Sequence, residues 1–321
     1  MATVLITGAS GFVGSHTLPA LTAAGHQVRA LVRDARGAEL VRARLAPAQV
    51  SRVTIVVGDV NQPQTLSPAL AGVDAVVHLV ALPRDNSGGA DLERVNTKGT
   101  RNVIAAMAAA GVERLVHLGA MGVVDDPNLH YAGSKARAEA AVRTSTSRWT
   151  ILKPSLLWGE RDGFFNIVAG LVRTSPGIVP VPGGRLSKFQ PLSVEDLARA
   201  VVSCLERDET IGRSYDLGGP DYWTYRQMVA EVITAMGKRR RIVTMPLPLI
   251  KVVARTSEML HLPFPVASDQ LRQLAFDNAA GLGDVERDFG FAPRSMKGSL
   301  GYLRQGRKGQ EPSPLGGSAS A

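Results

Sequence analysis

Short apolar runs punctuate the first half of the chain, each followed by a polar or glycine-rich break and then a helical stretch. Val4-Leu5-Ile6, Gln27–Val32, Val53–Val57, Ala75–Val80, Arg114–Leu118 and Thr150–Lys153 read as six strands. A strand that is apolar at consecutive positions is covered on both faces. Helical spacing runs through Leu18 and Leu21, spans about Asp91 to Ala110, and returns from Tyr131 to about Thr144. This alternation predicts an α/β fold built on a doubly wound parallel sheet. Ligands of such sheets sit outside the carboxyl ends of the strands, near the point where strand order reverses.

After Pro154 the pattern loosens. Proline and glycine cluster over Pro176–Gly184. Helices are expected over Val194–Glu206, Tyr225–Met236 and Leu247 to about Leu260, with a strand at Ser214–Leu217. The end of the chain, from Gln305 to Ala321, is rich in Gly, Ser and Pro and reads as a disordered tail. There are no internal repeats.

The break after the first strand carries the first chemistry. Gly8, Gly11 and Gly14 fall between that strand and the first helix, in the spacing G-x-x-G-x-x-G. With Ser10, Phe12 and Val13 they form a cradle in which backbone N–H groups and the positive helix end face the pyrophosphate of a dinucleotide. Glycine permits positive φ and close backbone approach. Valine at Gly11 or Gly14 is expected to fill that approach. The reading is a Rossmann-type NAD(P)-binding domain over residues 1–154, its sheet continuing with later segments up to about 220. Residues 155–304 then form a smaller, mostly helical region for substrate or partner, and 305–321 the tail.

The second strand ends Val28–Arg33. An acid is usual at its end, to bind the adenosine ribose diol. Val32 stands there and Arg33 follows. A guanidinium suits a 2′-phosphate, so NADP(H) is the expected cofactor and NAD(H) the alternative. Asp59, after the third strand, either accepts from the adenine amine or caps a helix.

Tyr131-Ala-Gly-Ser-Lys135 is the second constellation. Residues four apart share a helix face. An ammonium beside a phenol is expected to lower its pKa and make it an acid–base group. Lys135 is also placed to hold the nicotinamide ribose.

These residues together resemble the short-chain dehydrogenase/reductase superfamily over roughly residues 3–220. The resemblance rests on Thr7–Gly14, Gly58-Asp59, His78–Ala81, Val95–Thr100, Tyr131-x-x-x-Lys135 and Lys153–Gly159. Asn96 followed by Gly99-Thr100, and Pro191–Asp196, are similar to its extended and atypical branches, the epimerase/dehydratase-like proteins. Pro265–Gln270 with Asp277-Asn278 resembles a narrower group, that of the dinucleotide-binding accessory subunit of respiratory complex I and related ubiquinone-biosynthesis proteins. The resemblance implies Tyr131 and Lys135 as catalytic residues. It places Asp59, Val60, Leu79, Val80, Ala81, Asn96 and Pro154 beside the cofactor. It implies an oxidoreductase acting on a carbonyl or alcohol, in one form quinone-related. A rival is a weakly catalytic or non-catalytic NADPH-binding accessory or sensor protein. An NAD-dependent sugar epimerase/dehydratase is the third alternative, against which Val32-Arg33 argues.

One departure stands out. The superfamily supplies a Ser or Thr near the end of the fifth strand to hold the substrate carbonyl. This chain has Gly119 and Ala120 there, with no hydroxyl between Leu115 and His130. Such a donor is typically worth about 3 kcal/mol of barrier. Ser155 and Ser134 are the substitute donors, although Ser134 is as readily a packing or capping residue.

Composition narrows the rest. Net charge is +9, and the densest basic cluster is Lys238–Arg241, with no aromatic stacking motif beside it. Nucleic acid is therefore not an expected partner. A basic solvated surface, anionic lipid headgroups, a phosphorylated ligand or a protein complex remain. No 18-residue apolar run is present, and the first strand begins at once, without a signal-peptide pattern. The single cysteine, Cys204, sits in an apolar helical stretch and reads as a buried thiol in a reducing compartment. The expected location is cytoplasmic, with the inner face of a membrane as the alternative. The six histidines show no metal spacing, so no metal is expected. His78 and His117 end strands near the cofactor mouth, and His130 neighbours Tyr131. Trp158, Phe164 and Phe165 either line a substrate pocket or pack a core.

Overall fold

The computed structural model describes residues 1–85, 87–183, 187–246 and 277–305. The helix expected over Leu247 to Leu260, the segment Pro265–Gln270 and the tail from residue 306 lie outside them.

Seven parallel strands form the central sheet: β1 (Thr3–Thr7), β2 (Gln27–Val32), β3 (Val53–Val57), β4 (Ala75–His78), β5 (Arg114–Leu118), β6 (Arg148–Pro154) and, numbered in chain order, β10 (Arg213–Leu217). Their spatial order is β10-β6-β5-β4-β1-β2-β3, so the order reverses between β1 and β4. The expected six strands are joined by a seventh from the second half, which pairs Arg213–Leu217 with Thr150–Pro154 at the sheet edge. This is a Rossmann-like α/β fold.

Alternation within each strand explains why the central runs are apolar at consecutive positions. Val4, Ile6, Val77, Val116 and Leu152 face one layer, with α1 (Phe12–Ala23) and α8 (Val194–Glu206) packed on it. Leu5, Val76, Leu115 and Ile151 face the other, against α3 (Leu66–Leu70), α5 (Gly99–Ala110) and α6 (His130–Arg143). A short α2 (Ala35–Arg42) follows β2, and α4 (Ala90–Leu92) leads into a π-helical segment, Glu93–Lys98, before α5. Cys204 lies buried in the first layer, and burial pushes its thiol up to about 12, which makes it inert.

The second half contains more strand than expected. β7 (Leu157–Trp158) pairs β9 (Leu192–Ser193), and β8 (Ile178–Pro182) pairs β11 (Arg241–Met245). The proline-rich stretch is thus partly a strand: Val179 and Val181 point inward, while each proline sits in a two-stranded ribbon that is edge on both sides. A separate apolar cluster unites Phe165, Val168 and Val172 of α7 (Phe164–Thr174) with Met228 and Val232 of α9 (Tyr225–Ala235) and with Leu300 and Leu303. One further helix, α10 (Asp284–Phe289), packs Val285 and Phe289 on the first layer.

Two histidines lie inside the second layer. His78 and His117 are register partners on β4 and β5, and their rings stack with centroids 5.4 Å apart. His78 bonds Thr7 Oγ1 at 2.7 Å and Thr100 Oγ1 at 3.0 Å. His117 has no partner for either nitrogen among the described residues. Burial, and then the Lys135 charge, hold His78 down to about 3 and His117 well below the usual imidazole range. Both are therefore neutral in the fold. As pH falls through 6.5 the unfolded chain takes up these protons first, so stability is lost on acidification. Each imidazole should remove about 2 kcal/mol between pH 7.5 and pH 5. His117→Phe gives up no hydrogen bond and should remain folded, with about half this acid sensitivity. Denaturant titrations at the two pH values check it; an unchanged pH dependence in the variant would contradict the assignment.

Candidate functional site

At the end of β1 the chain turns at Gly8, whose φ is +76°. A side chain there would meet the Leu79–Val80 peptide bond at 3.2 Å. The turn therefore lies directly against the end of β4, at the reversal of strand order. Gly14 is the tightest contact of the turn: a Cβ would stand 2.2 Å from the Gly8 carbonyl oxygen and 2.7 Å from Ala9 Cα. It would enter the turn's own backbone and not the ligand space expected from the sequence. Gly11 is exposed, and its added Cβ would sit 3.2 Å from the Gly8 oxygen. Gly11 caps α1 without a side-chain bond, and no acidic residue occupies the first turn. The first N–H groups of α1 are thus left for an anion. Ser10, Phe12 and Val13 are half-buried along this rim.

The other expected cofactor residues fall into two groups. Leu79 is buried, Val80 is half-buried and Ala81 is exposed, all beyond β4 on the rim facing the turn. Val60 and Pro154 are buried, and the Pro154 carbonyl accepts from Met121 N. Asn96 is fully engaged: its Oδ1 accepts from Leu82 N at 2.7 Å, and its Nδ2 donates to Leu82 O and to Ser134 Oγ. It holds the Ala81–Leu82 loop to α6 and does not point outward. Asp59 Oδ1 accepts from Asn61 N, a local turn contact and not a helix cap. Arg33 is exposed at the end of β2, just before the Asp34 cap of α2.

Tyr131, Lys135 and Glu139 form one stripe along α6. Tyr131 is half-buried, and the other two are buried. The Lys135 ammonium donates to the Leu118 carbonyl at the end of β5, and burial lowers it to about 8. Glu139 accepts from Ala120 N at 3.2 Å, and burial raises its carboxyl above the usual range. Tyr131 is pushed up to about 12, by burial first and by the Glu139 charge second. The expected lowering of the phenol by Lys135 is absent: burial dominates the phenol, and the Glu139 carboxylate on the same stripe adds to it.

Glu139 also explains the missing hydroxyl. A Cβ at Gly119 would lie 2.5 Å from Glu139 Oε1 and 2.9 Å from Lys153 Cγ. The space of a residue-119 side chain is already filled. Neither substitute donor is free: Ser134 Oγ donates to Tyr131 O, and Ser155 Oγ donates to Asn278 O at 2.7 Å. Trp158 and Phe165 are core residues, and Phe164 packs edge-on against Phe165 and Tyr225. The sequence pattern did not single out Glu139, although its spacing from Lys135 carried the signal. Arg44 and Arg161, which donate to Ser10 O and Ser15 Oγ at 2.8 and 2.7 Å, had no local signal at all.

A family model described as NAD(P)H-binding matches residues 8–208, from the first glycine of the turn to just beyond α8. The chain belongs to this NAD(P)H-binding family. It is 26% identical over 315 residues, 95% of this chain and 78% of the relative, to the mitochondrial NADH dehydrogenase [ubiquinone] 1 alpha subcomplex subunit 9 of Arabidopsis thaliana. It is 31% identical, over half of its own length and 52% of the relative's, to a 4-hydroxy-2-methyl-3-oxo-4-farnesyl-3,4-dihydroquinoline-1-oxide ketoreductase of Stigmatella aurantiaca. Its fold matches that of dTDP-glucose 4,6-dehydratase from Streptomyces venezuelae, with a TM-score of 0.70 at 21% identity, covering 94% of this chain and 96% of the other. The turn fits what the family binds: its amides are uncapped, and its glycines keep backbone where side chains would stand.

The Gly14 contact separates fold from binding. Gly14→Ala should lose about 2 kcal/mol or more by forcing α1 off the turn. Gly11→Ala should stay within about 1 kcal/mol of the parent. Equal unfolding free energies for the two variants in urea would contradict this placement.

Proposed function

We propose that this NAD(P)H-binding protein is an NADP(H)-dependent oxidoreductase that reduces an apolar, quinone-related carbonyl compound. The observation that carries the reading is Tyr131: a half-buried phenol, protonated across the physiological range, one helical turn from a buried lysine. Bound nicotinamide would supply the hydride. Tyr131 donates the proton to the carbonyl oxygen, as a phenol pushed up to about 12 can. Lys135, anchored on the Leu118 carbonyl, places positive charge beneath the oxygen as it becomes an alkoxide. Asn96 keeps the Ala81–Leu82 loop closed onto α6. Arg33, which makes no ion pair among the described residues, receives the 2′-phosphate. The ketoreductase relative supports a carbonyl substrate.

A second reading is favoured by one specific observation. Position 119 has no room for a hydroxyl, and Ser134 and Ser155 are both occupied. A site without a carbonyl clamp turns over slowly or serves to hold the dinucleotide within an assembly, as the complex I relative suggests. Contact with such a complex, or peripherally with a membrane surface, belongs to this reading. No helix among the described residues is long and apolar enough to cross a membrane.

Two variants test the first reading. NADPH should bind at least about tenfold tighter than NADH, and Arg33→Ala should erase most of the difference, about 1.5 kcal/mol or more for a charge-assisted contact. Tyr131→Phe should leave NADPH affinity nearly intact and cut carbonyl reduction at least about a hundredfold. Equal affinities in the parent remove the NADP(H) preference. Unchanged turnover in Tyr131→Phe removes its role as proton donor, and tight NADPH binding with no turnover across quinones and aliphatic ketones favours the second reading.

A further inference from the structure

Arg44 and Arg161 come from elements far apart in the chain and meet at one turn. Arg44 follows the end of α2 and donates Nη1 to the Ser10 carbonyl at 2.8 Å. Arg161 lies between β7 and α7 and donates Nη2 to Ser15 Oγ at 2.7 Å. Both are half-buried. Neither makes a salt bridge among the described residues, and each is held by a single neutral oxygen. A guanidinium carries five N–H donors, so most of each fork is left over. The two cations are close enough that the Arg161 charge, after burial, makes Arg44 easier to deprotonate. The Glu160 carboxylate only partly offsets the burial of Arg161.

Arg161 is also the one non-glycine residue with positive φ among the described residues, at 71°. That conformation costs about 1 kcal/mol for an ordinary side chain. Two mutually repelling cations and one left-handed backbone are thus brought to the rim between Ser10 and Ser15. Among the described residues no carboxylate forms an ion pair with either, and Glu160 acts on Arg161 only at longer range. The uncapped amides of α1 lie between the two anchor points.

We propose that Arg44 and Arg161 form a two-armed clamp on the pyrophosphate of the bound dinucleotide, closing over the glycine turn from its two ends. The inference rests on the dinucleotide reading above and adds the residues that grip the charge every such cofactor shares. Arg33 differs in kind: it reads a phosphate present on NADP(H) alone. The clamp raises affinity for NADPH and NADH alike, and Arg33 sets their ratio. Relative to the backbone cradle, the clamp adds two fork-shaped donors suited to phosphate oxygens.

Calorimetric titration of the full chain with NADPH and with NADH tests this. Arg44→Gln and Arg161→Asn should each weaken both cofactors about tenfold, and the double variant about a hundredfold, with the NADPH/NADH ratio within about twofold of the parent. Asparagine tolerates left-handed backbone, so Arg161→Asn should keep the parental melting temperature. Arg161→Lys should recover part of the affinity, because the charge returns without the fork. The salt dependence of binding should flatten in the double variant. Variants that bind both cofactors within about twofold of the parent would overturn the clamp while leaving the dinucleotide site standing. A variant that changes only the NADPH/NADH ratio would overturn it as well, by assigning that arginine to the 2′-phosphate. A parent protein that binds neither cofactor would overturn the site and the clamp together.

Discussion

The contact between Gly14 and the Gly8 carbonyl is the constraint on which the site depends. It lets the first turn of α1 lie against the backbone that leaves β1, with no atom between them. Gly8 in turn lies against the peptide joining Leu79 to Val80. Three elements are thereby fixed to one another at the reversal of strand order: the end of β1, the start of α1 and the end of β4. The uncapped amides of α1 face outward only because the turn below them is packed backbone on backbone. A larger residue at either glycine changes the fold before it changes a ligand's access.

Behind this rim sits an unusually polar layer. Asn96 ties Leu82 to Ser134, Thr97 bonds the Ser134 carbonyl, and Glu93 reaches Thr97 and Arg137. The π-helical segment over Glu93–Lys98 places Asn96 and Thr97 on the buried side together. Below it, His78 and His117 stay neutral next to the Lys135 ammonium. Burying a charge beside two imidazoles destabilises the fold, and that tension is common where side chains carry chemistry. Glu139 moderates it by lying on the same stripe as Lys135, and in doing so fills the space where a hydroxyl would project from residue 119.

Much of the framework is legible in the sequence. Gln27–Val32, Val53–Val57 and Arg114–Leu118 form strands at the expected residues, because each is a short run rich in valine, isoleucine and leucine bounded by polar breaks. Val194–Glu206 is likewise the expected helix, capped by Ser193 and carrying Glu195 and Asp196 in its first turn. The glycine turn and the Tyr131–Lys135 spacing are legible for the same reason: they are local. What was not legible is set by long-range packing. Ile178–Pro182 shows only a proline and glycine cluster in the sequence, and its strand depends on Arg241–Met245 pairing with it. The direction of the Tyr131 shift is set by how deeply the tertiary packing buries the phenol and by the Glu139 charge beside it. The side-chain space at Gly119 is filled from α6, and Arg44 and Arg161 meet across the turn from separate elements. No local pattern encodes those contacts.

The central claim is that the uncapped start of α1, seated on the glycine turn, is where the dinucleotide phosphates bind. The most direct measurement is an amide-resolved NMR titration of the full chain with NADPH, with the cofactor's phosphorus resonances followed in parallel. The account predicts the largest amide shifts at Ser10, Phe12, Val13 and Gly14, smaller ones at Val80 and Ala81, and a shifted pyrophosphate signal. Saturable binding that moves amides elsewhere and leaves Phe12, Val13 and Gly14 unperturbed would contradict it.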